Sequence, residues 1–120
     1  MPVTAARARK IAMSLEGVSE AAHFDRFAFR TPRRIFATLA KTGADLNLML
    51  DRPLQEFFCE QALEAMAAVA GAWGEKGATR CELRCVDEDT LLSALKAAHA
   101  LADAPKPVAK KSAKKTKRSS

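Results

Sequence analysis

Apolar and polar positions alternate at a period of two through the middle of the chain. Ile35, Ala37 and Leu39 interleave with Phe36, Thr38 and Ala40, and Leu46, Leu48 and Leu50 with Asn47 and Met49. That is the spacing at which successive side chains leave opposite faces of a strand. Thr31-Pro32-Arg33-Arg34 and Lys41-Thr42-Gly43-Ala44-Asp45 supply turn chemistry between the runs. Residues 24–50 are therefore predicted to form a ribbon of three short strands joined by two tight turns.

On either side the period lengthens to that of helix. Thr4 can cap a helix reaching about residue 16, with Ala8, Ile11, Ala12 and Leu15 on one stripe and Gly17 as its stop. Arg7, Arg9 and Lys10 lie off that stripe and read as a solvated face. Asp51 is a good cap and Pro53 is tolerated in a first turn, so a second helix follows the ribbon. Propensity alone would carry it through the alanine-rich segment to Ala70, where Gly71 stops it. Gly74-Glu75-Lys76-Gly77 reads as a hairpin turn feeding a strand over residues 79–86. In that strand Thr79, Cys81, Leu83 and Cys85 face the core and Arg80, Glu82 and Arg84 face water. A short strand over residues 70–73 would pair with it. Asp87 caps the last helix, whose first turn holds Glu88 and Asp89 and whose buried stripe is Leu91, Leu92, Leu95, Ala98, His99 and Ala102. This order predicts an α+β domain, an antiparallel sheet with helices packed on one face, over residues 1–104.

Charge divides unevenly along that plan. Residues 1–104 hold 13 Lys and Arg against 14 Asp and Glu, net −1, while residues 105–120 hold seven basic residues and no acid; together they give the chain's +6. The basic segment, PKPVAKKSAKKTKRSS, has no aromatic residue and Val108 as its one branched apolar residue. Its composition cannot supply a core, so a disordered tail is expected. Lys106, Lys110, Lys111, Lys114, Lys115, Lys117 and Arg118 could release counterions from a phosphate backbone. With about five engaged, the log-log salt slope of binding would be near −4.5. Arg30, Arg33 and Arg34 bracket the first ribbon turn, a shape that can reach a phosphate backbone or a groove. DNA is thus the expected partner, through largely non-specific backbone contact. The alternative is a protein-interaction or small-ligand module whose tail aids solubility.

The remaining chemistry points away from catalysis and from metals. Cys81 and Cys85, four apart on the expected strand, would lie roughly 13 Å from each other, too far to share a zinc ion or a disulfide. Neither His23 nor His99 has a Ser or Cys partner in a recognisable nucleophile motif, and His99 reads as a packed residue with one satisfied nitrogen. The Gly-x-x-Gly at residues 74–77 lacks the helix-to-helix setting of a nucleotide clamp. The chain shows no dinucleotide fingerprint or P-loop, no apolar run able to cross a bilayer and no secretory core. A cytoplasmic protein without enzyme activity, cofactor or metal is expected.

The runs AMSLEGVSEAAHFDRFAFRTPRRIFATLA, AWGEKGATRCEL and VDEDTLLSALKAAHALA resemble the MmcQ/YjbR-like family of small bacterial proteins, often labelled DNA-binding. The most specific matches are Leu15-Glu16-Gly17-Val18, Ile35-Phe36-Ala37-Thr38-Leu39, and Trp73-Gly74 with Gly77 and Thr79. The resemblance implies an α-β(3)-α-β(2)-α fold related in shape to secretion chaperones and double-wing DNA-binding domains. It also implies that the second helix ends near Met66 and that residues 69–73 are extended. Ala78 and His99 stand where the family often carries aromatics.

Overall fold

A computed structural model describes residues 3–104. Ten elements follow one another: α1 (Ala5–Met13), β1 (Ser19–His23), β2 (Arg26–Arg30), β3 (Ile35–Ala40), β4 (Asp45–Met49), α2 (Arg52–Gln61), β5 (Met66–Ala68), α3 (Ala72–Glu75), β6 (Ala78–Glu82) and α4 (Glu88–Asp103). The six strands make one antiparallel sheet in the order β1-β2-β3-β4-β6-β5. The α+β class and antiparallel sheet agree with the alternation read from the sequence, and the order gains one strand, β1, and one short helix, α3.

Register explains why the alternating residues fold this way. Phe29 opposes Ala37, Ala37 opposes Leu48, Leu39 opposes Leu46, and Leu46 opposes Cys81, so one face is a continuous apolar surface. All of these are buried, and they pack with Leu91, Leu95 and Ala98 of α4 and Ala8, Ile11 and Ala12 of α1. The β2–β3 register slips between Phe29 and Arg30, an irregularity that lets the extra residue, Phe36, join the core. Phe36 is fully buried and meets the ring of His99 edge-on at 5.4 Å.

Four expectations change. The second helix ends at Gln61, before Met66, because Met66 leaves the helical path to pair with Cys81 at the sheet edge and is buried there; tertiary pairing outweighs the helix propensity of the alanine-rich segment. The strand expected at residues 69–73 lies instead at Met66–Ala68. Gly74-Glu75-Lys76-Gly77 is not a hairpin turn: Ala72–Glu75 is a single helical turn, entered through Gly71 at φ 85°. Finally, β6 stops at Glu82, whose carbonyl accepts from the amides of both Cys85 and Val86. That turn exposes Cys85 while Cys81 stays buried. The roughly 13 Å spacing of a continuous strand therefore does not apply. Burial, aided by the charges of Glu82, Cys85 and Asp45, pushes the Cys81 thiol up to about 12. Among the described residues no group of three or more metal-ligating side chains converges, and no helix is long and apolar enough to cross a membrane.

Candidate functional site

Five of the 13 Lys and Arg side chains among the described residues have a carboxylate partner. On the sheet face away from the core, Arg26 donates to Asp45 at 2.8 Å and to the hydroxyl and carbonyl of Thr38 at 2.9 and 3.0 Å. Arg80 reaches Asp45 at 3.4 Å and Glu82 at 2.8 Å. Arg7 pairs with Glu88, Arg9 with Glu20, and Arg52 with Glu56. Arg30, Arg33, Arg34 and Lys76 are among the eight described side chains without one, with Lys10, Lys41, Arg84 and Lys96.

The β2–β3 turn that carries three of these cations is fixed from below. Thr31 is 1 % exposed, and its hydroxyl accepts the amides of Arg33 and Arg34 at 3.0 and 3.2 Å. Its proton is shared between the carbonyls of Arg34 and Ala102, at 3.3 and 3.4 Å. The turn is thereby tied to the last turn of α4, where helix carbonyls lack intrahelical partners. The Arg34 guanidinium donates to the carbonyl of Ala104 at 3.1 Å, and Arg30 donates to the carbonyl of Thr31. Arg30 and Arg33 are exposed and Arg34 is half-buried. The ribbon turn and the end of α4 thus adjoin. Lys106, Lys110, Lys111, Lys114, Lys115, Lys117 and Arg118 lie outside the described residues.

Beside this junction lies a groove of about 440 Å³ whose lining includes Arg34, Lys76, Ile35, Met49 and Leu101. Lys76 ends α3, and that turn is built tightly. The buried Gln55 side chain donates to the carbonyls of Gly74 at 2.8 Å and Ala78 at 3.0 Å. A Cβ on Gly74 would meet the Val69 carbonyl oxygen at 1.6 Å, and one on Gly77, at φ +119°, would meet that of Leu50 at 2.1 Å. Trp73 stands outward from this support, 69 % exposed. Sequence reasoning missed both Gln55 and the outward tryptophan. The available signal was the run of glycines at 71, 74 and 77 around a lone Trp, which marks backbone approach that side chains would block.

His99 is half-buried, with Nε2 2.7 Å from the carbonyl oxygen of Glu16, as a packed histidine with one satisfied nitrogen should be. No Ser or Cys among the described residues hydrogen-bonds to it.

No family model matches the chain, and no curated protein matches it. Its fold is similar to the crystal structure of a Deinococcus radiodurans protein, DR2400, described as a DUF419 domain. The likeness has a TM-score of 0.69 at 18 % sequence identity and covers 82 % of this chain and 78 % of that one.

Proposed function

We propose that the protein is a non-enzymatic DNA-binding member of the MmcQ/YjbR-like family, holding the phosphate backbone through its Lys-rich C-terminal segment and the Arg30, Arg33 and Arg34 turn. The observation that carries this reading is the 3.1 Å contact from Arg34 to the carbonyl of Ala104. It sets the turn, whose cations lack carboxylate partners among the described residues, beside Ala104, after which seven more cations follow in the sequence within 16 residues. Each phosphate contact from either cationic segment adds salt-dependent affinity without sequence preference. Family membership is supported by the motifs around Gly17, Ile35 and Trp73 and by the shared fold of the DUF419 protein.

Fluorescence anisotropy with a labelled duplex, between about 50 and 200 mM salt, tests it. The full chain should give a log-log slope of about −6, about −4.5 of it from the tail, and replacing the seven basic residues of the tail by Gln should flatten it to about −1 or −2. Absence of binding at the lowest salt would sink the reading. Equal slopes for the two chains would remove the tail from it. A second reading, a peptide- or small-ligand-binding module, is favoured by the apolar walls of the groove, and tail-independent binding of such a ligand would bring it forward.

A further inference from the structure

We infer that Trp73, Lys76 and Arg34 form a stacking site for an unpaired nucleotide of a single strand, an inference that rests on the nucleic-acid reading above and adds a single-stranded form to the duplex. Three features of the α3 turn converge on this. The largest aromatic side chain in the chain is exposed, on backbone held by Gln55 and by two glycines that admit no Cβ. An aromatic side chain presented on a fixed backbone has less to order at the moment of contact than one on a loose loop. Trp73 and Lys76 share a cavity of about 180 Å³. Lys76 also lines the larger groove, as does Arg34. The site therefore offers a flat π-face, a cation beside it and, in the adjoining groove that this cation also lines, a second cation.

That sequence of chemistries matches a base followed by its phosphate. A base stacks on indole whatever its identity, and the linked phosphate finds an ammonium or guanidinium group. A duplex hides its base faces, so Trp73 can act only on an unpaired base. Asp51, the one acid lining the groove, accepts the amide of Leu54 as the cap of α2, so two cations face one anion there and the net charge is positive.

Trp73 is the only tryptophan of the chain, so its emission reports the site without a label. The full-length protein is titrated with oligo(dT) of about 12 nucleotides, a length within ordinary single-strand site sizes, with a duplex of equal length, and with thymidine monophosphate. Oligo(dT) should quench the emission. W73A should weaken oligo(dT) binding about tenfold while leaving duplex binding within about twofold, and K76Q should weaken it less. Oligo(dT) binding that leaves the emission unchanged, or W73A binding oligo(dT) like the parent, overturns the inference while the duplex reading stands. Quenching by the monophosphate at the same midpoint as oligo(dT) overturns the single-strand assignment in favour of a free nucleotide. Failure of both duplex and oligo(dT) to bind overturns this inference and the general reading together.

Discussion

At Thr31 one hydroxyl accepts two turn amides and shares its proton between two carbonyls, so a single side chain fixes the loop that presents Arg30, Arg33 and Arg34. Thr31→Val keeps the shape and removes every one of these contacts, leaving two amides without that acceptor. The expected loss is about 2 kcal/mol, read as a lower urea midpoint with an unchanged slope, whereas Thr31→Ser should recover most of it. No change in midpoint would mean that water replaces the hydroxyl. The cysteines separate at the same scale. Burial holds the Cys81 thiol far from ionisation and raises that of Cys59 by desolvation, while Cys85 lies exposed in the turn after β6. The thiolate is the reactive form, so native protein treated with an aromatic disulfide reagent should modify Cys85 first and Cys81 only on unfolding. Mass mapping that finds Cys81 labelled early would contradict the packing of β6 against the core.

Among the elements, α3 depends most on groups far from it in sequence. Gly77→Ala would place a methyl carbon at 2.1 Å from the Leu50 carbonyl oxygen in a left-handed conformation, and a loss above about 3 kcal/mol is expected. Gln55→Leu removes the donor to two buried carbonyls and should lower stability by about 2 kcal/mol. It should also shift the Trp73 emission, because the turn that carries it loses its internal support. These couplings show why some elements were legible in the sequence and others were not. Helix α4 announces itself through the Asp87 cap and its apolar stripe, and β3 and β4 through alternation, since in each case the determining contacts repeat locally. Strand β1 is Ser-Glu-Ala-Ala-His at the sheet edge, with no large apolar residue to mark a face. β5 is three residues of good helix formers drawn into the sheet by Met66 opposite Cys81. The end of β6 is hidden because Leu83 and Val86 stay buried after the strand has turned, so the apolar pattern outlasts the hydrogen-bond ladder. The candidate site divides likewise: the basic segments are read from composition, but the approach of the Arg34 turn to Ala104 and the outward face of Trp73 exist only in the fold.

Across the whole molecule, the first and last helices are joined by a surface contact that makes stability depend on pH. Arg7 of α1 donates to both carboxylate oxygens of Glu88, at 2.8 and 2.7 Å, in the first turn of α4. The hydrogen bond from Arg7 holds the Glu88 carboxyl below the usual glutamate value, and the Thr90 amide lowers Asp87 one residue away. A carboxyl depressed in the folded state contributes stability above its unfolded value, about 4.3 for glutamate. That contribution is lost as the pH falls through the lower folded value. Glu88→Gln should therefore lower Tm near neutral pH by a small amount, as exposed pairs do, and the gap from the parent should close on acidification below the glutamate range. Salt should narrow the gap at neutral pH, because both groups reach solvent and are screened. Thermal unfolding of the two chains followed by circular dichroism across that range decides it. A gap that stays constant with pH would assign the effect to packing of the side chain, and a gap that widens in acid would mean that folding raises the Glu88 carboxyl instead of depressing it. Because α1 otherwise meets the rest of the fold through the small stripe of Ala8, Ile11 and Ala12 and through a second ion pair, Arg9 with Glu20 of β1, which acid also weakens, the same acidification should loosen α1 before the sheet. Amide exchange in α1 should then rise at a higher pH than exchange in β3 and β4.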